Sequence, residues 1–471
     1  MKRLVNFLTL AICVCCPVLA QESDMNSTVK AKEVYDDYQK FRFGGYGEMA
    51  ASYLDYDWNW TTANGTAKRN RGEISIPRFI LAFDYKFSPK WVLSSEIEFE
   101  YGGTGAAREI EWKEENGEYE TEIEKGGEVA LEQFHISYLM NKHLNFRFGH
   151  MIVPVGLTNT HHEPLNFFGV YRPEGETTIL PSTWHETGVA LFGDLGNFDY
   201  ELQLVSGLDP QAFRTENWAG KATQGAFEIS NFTSPAFVAR VNYNGVKAFQ
   251  GLRVGASFYY DQMAKNGTKP TRNSKYKFPV TIFSADAQYK SVNNNLIARA
   301  NIIYGNLEDS DALTSINNGS SNASGYPKST VAKNAISYGG EVGYNIGSFC
   351  GKKAPKIYPF VRYEFYSPMY KMEKGGNVKV ADKRLEKSLI TAGLNYYALP
   401  NLVIKADYTH KIVGGGDYNS QNMASIGIAY IGWFIKNKKR KYKFIIEFEN
   451  EKEYIISHLI NGSFIEFLFL Q

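Results

Sequence analysis

Arg78-Phe79-Ile80-Leu81-Ala82-Phe83-Asp84-Tyr85-Lys86 is two sequences interleaved. One parity carries Phe79, Leu81, Phe83 and Tyr85; the other carries Arg78, Ile80, Ala82, Asp84 and Lys86. A β-strand sends successive side chains to opposite faces, so this stretch presents one apolar face and one largely polar face. The pattern returns at Phe283, Ala285, Ala287 and Tyr289 against Ser284, Asp286, Gln288 and Lys290. It returns again at Leu402, Ile404, Ala406 and Tyr408 against Val403, Lys405, Asp407 and Thr409.

Such runs recur along the chain at 40–54, 73–87, 90–102, 128–140, 143–153, 184–193, 197–207 and 235–244. They continue at 249–261, 279–290, 295–306, 335–346, 356–367, 387–397, 401–412 and 421–434. Short turns such as Ser88-Pro89, Asn141-Lys142, Leu195-Gly196, Val292-Asn293-Asn294 and Leu399-Pro400 alternate with long connections. The long ones are 55–72, 103–127, 153–183, 208–234, 262–278, 307–334 and 368–386. A soluble sandwich also alternates in polarity, but it does not sort its turns by length. Tight turns at one end and long loops at the other are the habit of an outer-membrane barrel. Tyr at strand ends (Tyr85, Tyr138, Tyr243, Tyr260, Tyr289, Tyr304, Tyr344, Tyr396, Tyr430) fits an interfacial aromatic girdle. The reading is an all-β, 16-stranded antiparallel transmembrane β-barrel over 40–434.

Composition narrows the partners. The 471 residues are 44% hydrophobic and 15% aromatic, too apolar for a disordered chain. Lys and Arg total 51 against 50 Asp and Glu, which excludes a nucleic-acid binder working through bulk positive charge. The expected surroundings are the lipid of the outer membrane of a Gram-negative bacterium.

Lys2 and Arg3 precede an apolar run from Leu4 to Ala20, and Val18-Leu19-Ala20 suits signal-peptide cleavage before Gln21. Cys13, Cys15 and Cys16 lie in that segment and lack the small preceding residue of a lipidation site, leaving Cys350 alone in the mature chain. No internal disulfide is then available. Residues 21–39 read as a polar periplasmic tether.

The polar parity sets the size of the ring. Sixteen strands enclose an aqueous channel, whereas eight are filled by their own side chains. Its candidate pore-lining residues are Arg42, Arg78, Arg147, Arg240, Arg253, Arg299, Arg362 and Lys405, with Glu48, Glu96, Glu341, Glu364 and Asp407. Asp84, Glu98, Glu201 and Asp286 share that face. Two roles are open to each: a salt-bridged wall network, or a path for ions. Together they predict water inside, because a dry core of that many charges is prohibitive.

The third long loop, 153–183, differs from the rest. It carries Leu157, Leu165, Phe167, Phe168, Val170, Tyr171, Ile179 and Leu180, whereas the other long loops are polar or acidic and read as solvated. A loop that apolar is expected to fold into the barrel as a constriction, presenting His161, His162, Phe167, Phe168, Tyr171 and Arg172. Packing over the barrel mouth or on a neighbouring subunit is the competing reading. His161-His162 has no third ligand at metal spacing, so no metal site and no cofactor are assigned.

The chain resembles the phosphate-selective porin O and P family. The likeness rests on Phe146-Arg147-Phe148-Gly149-His150, then Val153-Pro154-Val155-Gly156-Leu157, then His185-Glu186-Thr187-Gly188-Val189-Ala190-Leu191-Phe192-Gly193. It implies a homotrimeric outer-membrane channel for small solutes or ions, with basic residues selecting phosphate-type anions. Arg147 occupies the matching strand, but 153–183 is net acidic and shows no lysine cluster.

Asn116-Gly117 marks a hairpin within the glutamate-rich loop 103–127. The last strand ends at Trp433-Phe434, after which the basic run and apolar tail of 435–471 are unlike the body. His135, His150 and His410 lie on strands without a Gly-x-Ser-x-Gly phrase, so no catalytic residues are assigned. Passive diffusion of small hydrophilic solutes leads; a surface adhesin or receptor barrel, and a barrel-embedded hydrolase, are the alternatives.

Overall fold

The computed structural model describes residues 40–436 except 57–68, 104–107, 111–120, 124–126, 221–222, 226–231, 246–249, 267–274, 320–328, 352–353 and 379. The leader 1–20, the tether 21–39, most of 103–127 and the tail beyond Lys436 lie outside the described residues. Where loop 103–127 is described, Arg108–Ile110 pairs antiparallel with Thr121–Ile123; Asn116-Gly117 itself lies outside the described residues.

The strands are β1 Phe41–Leu54, β2 Arg71–Lys86, β3 Trp91–Glu100, β4 Glu128–Leu139, β5 Asn145–Ile152, β6 His185–Leu195, β7 Phe198–Val205 and β8 Ala236–Tyr243. They continue as β9 Leu252–Gln262, β10 Pro279–Lys290, β11 Leu296–Leu307, β12 Asn334–Tyr344, β13 Ile357–Lys371, β14 Lys387–Leu399, β15 Leu402–Val413 and β16 Ser420–Lys436. Each pairs antiparallel with its sequence neighbour, and β1 meets β16 from Arg42↔Lys436 to Leu54↔Met423. The ring is therefore closed, and no barrel edge is left with unpaired backbone. β16 runs past the terminal aromatic because Ile435 still pairs with Phe43. β13 runs past Pro368 because a register shift between Asn334 and Ile336 of β12 absorbs the residue that cannot donate.

The two faces sort as the alternation dictates. Phe79, Phe134, Phe148, Leu204, Phe237, Phe283, Ile302, Val361, Ile390, Tyr408 and Ile426 remain 37–54% exposed right around the ring. A continuous apolar belt far exceeds what a water-soluble monomer tolerates. On the inner parity, Val403, Lys405, Asp407 and Thr409 are all buried.

One expectation fails. The other long loops are not simply solvated: Leu208, Phe213, Trp218 and Ala219 of the fourth long loop join Leu313 and Val331 of the sixth in a buried cluster. Trp184, Tyr259, Val280, Ile282 and Ile303 belong to it too, as do Val155, Ile179 and Leu180 of 153–183, and the inner face turns apolar near the long-loop ends of β9–β11. A short helix, α3 Ser310–Gly319, supplies Leu313 to this core.

Candidate functional site

Segment 153–183 leaves β5 through Pro154-Val155-Gly156 and contains two short helices, α1 Leu157–Thr160 and α2 Glu174–Ile179. Gly156 adopts φ 86°, and a Cβ there would stand 2.3 Å from Glu176 Oε1. Both the conformation and the space demand glycine. Gly156→Ala is therefore expected to destabilise the segment by about 1–3 kcal/mol, read as a lower unfolding midpoint in detergent.

Internal hydrogen bonds shape the segment before the wall touches it. Asn159 N donates to Glu176 Oε1 at 2.7 Å and Leu157 N donates to Oε2 at 3.2 Å. Asn159 Nδ2 donates to the Val153 carbonyl at 2.6 Å and its Oδ1 accepts from Trp184 N at 2.6 Å. Burial pushes the Glu176 carboxyl above its ordinary range, the backbone donors opposing.

The charged wall then satisfies the remaining backbone. Carboxylates accept from loop amides: Phe168 N donates to Glu341 Oε2 at 3.2 Å, Val170 N to Asp407 Oδ2 at 2.6 Å and Gly175 N to Glu364 Oε1 at 3.1 Å. Cations donate to loop carbonyls. Lys405 Nζ reaches those of Pro164, Phe167 and Gly169 at 2.5, 2.8 and 2.9 Å. Arg78 reaches His162 O at 2.9 Å, Arg240 reaches Gly156 O and Arg362 reaches Tyr171 O, both at 3.3 Å. A buried segment without a strand partner must find such groups elsewhere, and here the wall provides them. The anchors Arg78 on β2 and Ser284 on β10, whose Oγ accepts from Gly156 N at 3.1 Å, sit eight strands apart in a ring of sixteen.

The wall candidates pair with each other as well. Arg42 meets Asp84, Arg78 meets Glu98 and Glu132, Arg147 meets Glu201, and Arg240 meets Asp286. Arg253 meets Asp199, Arg299 meets Glu341, and Arg362 meets Glu364. Arg42 and Arg253 keep 16% and 20% side-chain exposure, whereas Arg78 and Arg147 keep 2%. Glu48 is also half-buried; Glu96 is buried beside Gln133. A small cavity opens beside the segment, bordered by His161, Phe167, Asn301, Glu341, Arg362 and Glu364 among others.

The six loop residues named from the sequence go to different places. Phe168 stacks on Phe360 with centroids 5.3 Å apart, under the Arg299 guanidinium. Phe167 lies under Lys405 Nζ at 4.2 Å, and Tyr171 OH meets Ser52 Oγ at 2.9 Å. Arg172 donates to Thr183 Oγ1 at 3.1 Å. Burial first, and Arg78 second, lower its hold on the proton, with Glu98, Glu48 and Glu132 opposing. The two histidines separate: His161 lies toward Gln288 of β10, while His162 is buried against Glu132 of β4. Burial holds the His162 imidazole down to about 4, so it is neutral at pH 7.

Glu132 escaped the sequence reading. Glu96 pairs with Gln133 and Ile97 with Leu131, so β4 bulges at Glu132. The bulge turns Glu132 and Gln133 both inward, at 0% and 2% exposure. Strict alternation would have placed Glu132 with Phe134 and Ile136 in lipid, and that impossibility was the signal that could have found it.

Glu174 at the start of α2 links loop to wall through Lys411 Nζ at 2.7 Å and Tyr366 OH at 2.5 Å. Burial opposes its ionisation, but Lys411 and then Lys387 overcome burial and hold the carboxyl at about 2. A docked value below the free value near 4.5 means the contact stabilises docking fully above that pH and is lost as pH falls towards 2. Acidifying from pH 5 to 3 is thus expected to increase conductance fluctuations, and Glu174→Gln is expected to flatten that change.

No family model matches the chain. It is 26% identical over 407 residues to a protein of Aquifex aeolicus (strain VF5) described only as uncharacterized, covering 86% of this chain and 82% of that one. Among solved structures it is similar to the outer membrane channel DcaP of Acinetobacter baumannii, at 12% identity and TM-score 0.49, over 83% of this chain and 96% of that chain. It is also similar to an anion-selective porin from Comamonas acidovorans, at 10% identity and TM-score 0.47, over 83% and 99%.

Proposed function

We propose that this chain is an outer-membrane channel through which small hydrophilic solutes and ions diffuse passively. The observation that carries the reading is the closed ring with its exposed apolar belt outside and its paired charges inside. Only lipid covers such a belt, and only a closed ring satisfies its backbone there. Segment 153–183 is the constriction in this reading. Its anchors on β2 and β10 support a path across the lumen rather than over the mouth.

Selectivity follows from the pairing. A phosphate filter needs unpaired cations converging on the path, yet each wall cation named from the sequence has an acidic or carbonyl partner. The channel therefore discriminates mainly by size, with a weak ionic preference set by the water-facing pairs Arg42–Asp84 and Arg253–Asp199. The homotrimer implied by the family resemblance is the proposed assembly, checked by crosslinking in detergent. The decisive experiment is a planar lipid bilayer: discrete conductance steps support a channel, and a folded barrel that inserts without steps rules it out.

A further inference from the structure

The buried meeting point of β3, β4 and the inserted segment holds a histidine whose one free nitrogen has no donor to receive. His162 Nδ1 lies 3.0 Å from the Asn159 carbonyl, an acceptor only, so the proton sits on Nδ1 and Nε2 offers a bare lone pair. That nitrogen is fully buried and has no hydrogen-bond partner. It faces a carboxylate oxygen, Glu132 Oε2, at 3.9 Å. Two lone pairs directed at each other in a buried pocket repel unless a cation or a proton lies between them.

We propose that Glu96, Glu132 and His162 bind a first-row divalent transition metal of the zinc type. One ligand atom from each lies within 4.8 Å of the others. Around a tetrahedral zinc ion with ligands at about 2.1 Å, donor atoms stand about 3.4 Å apart, so modest side-chain rotation closes the set and leaves a fourth position for water. Each carboxylate is already held by one protein donor. Gln133 Nε2 donates to Glu96 Oε2 at 2.8 Å, and Arg78 Nη2 donates to Glu132 Oε1 at 3.1 Å. Tyr46 OH, at 3.4 Å, makes only a long approach to Glu132 Oε2. The Asn159 carbonyl orients the imidazole in the way second-shell acceptors orient metal-bound histidines. Imidazole nitrogen disfavours magnesium and calcium, which take oxygen ligands. Because His162 belongs to 153–183 and the carboxylates belong to the wall, the ion pins the segment to β3 and β4.

The test uses the intact chain in detergent, stripped with chelator and titrated with Zn²⁺ alone by calorimetry, with bound metal counted after dialysis. About one zinc per chain is expected. His162→Ala and Glu132→Gln are each expected to weaken binding at least tenfold, while His161→Ala leaves it unchanged. Heat-modifiable migration on gels confirms that each variant is folded. Should His162→Ala fail to fold, Glu96→Gln tests the same set, and Co²⁺ substitution reports a nitrogen ligand by its visible spectrum. Binding equally strong in wild type and in a folded ligand variant overturns the site. So does a wild type that retains no zinc, since a proton shared by the carboxylates then supplies the missing charge. None of these readouts requires conduction, so the site and the channel stand or fall separately.

Discussion

Excising 157–180 and joining Gly156 to Pro181 through a short Gly-Ser linker is expected to raise single-channel conductance about threefold or more, because a bare sixteen-strand ring leaves a wide aqueous lumen. The join is geometrically easy: Val153 N donates to the Trp184 carbonyl at 3.0 Å, so the ends of the segment are already adjacent. Excision removes the phenylalanines stacked on Phe360 and under Lys405, and it returns Glu341, Glu364, Asp407 and Lys405 to water. Solvated charges in a wide pore cost little, so the barrel is expected to keep its heat-modifiable migration. Conductance left unchanged would move the narrowing to Phe213 and Trp218 of the fourth long loop, which share a buried cluster with Val155. In that case Trp218→Ala, not the excision, would open the channel.

Strand periodicity made the wall legible, since a parity switch is visible whenever one face must meet lipid. Phe79/Arg78 and Tyr408/Lys405 settle the two faces with no structure in hand. Two kinds of feature resisted. A bulge inserts one residue and reverses the parity beyond it, so alternation counted from Phe134 misplaces Glu132 on the lipid face, where no carboxylate belongs. Tertiary burial of a polar-looking loop was also invisible. Phe213 and Trp218 stand five residues apart among polar neighbours, without any period to mark them, yet both reach full burial. The polar parity was legible in the sequence, but the employment of its charges was not. Alternation shows which way Lys405 points, while only the folded segment shows that it meets three carbonyls rather than an open lumen.

That employment leads to the second large effect: Lys405→Met is expected to release the segment from the wall. Methionine keeps the length and apolar stem of lysine and removes only the ammonium. Lost with it are three charge-assisted hydrogen bonds to the carbonyls of Pro164, Phe167 and Gly169, which bend the chain tightly around one nitrogen. Three buried carbonyls left without their donor, at about 1–3 kcal/mol each, cost about 3 kcal/mol or more together. The three bonds share one donor and do not add, so the lower end is the safer figure. About 3 kcal/mol shifts the docking equilibrium by roughly two orders of magnitude. Two measurements read this: open-channel noise rises, and chymotrypsin begins to cut at Phe167 or Phe168, which are buried in the docked state. Asp407 sharpens the assignment, since its carboxylate accepts from Val170 N one residue beyond the last carbonyl that Lys405 holds. If both side chains grip the same turn, Asp407→Asn in the Lys405→Met background adds less than it does alone. A Lys405→Met channel as quiet and protease-resistant as wild type would show instead that Phe168 packing on Phe360 holds the segment without the ammonium.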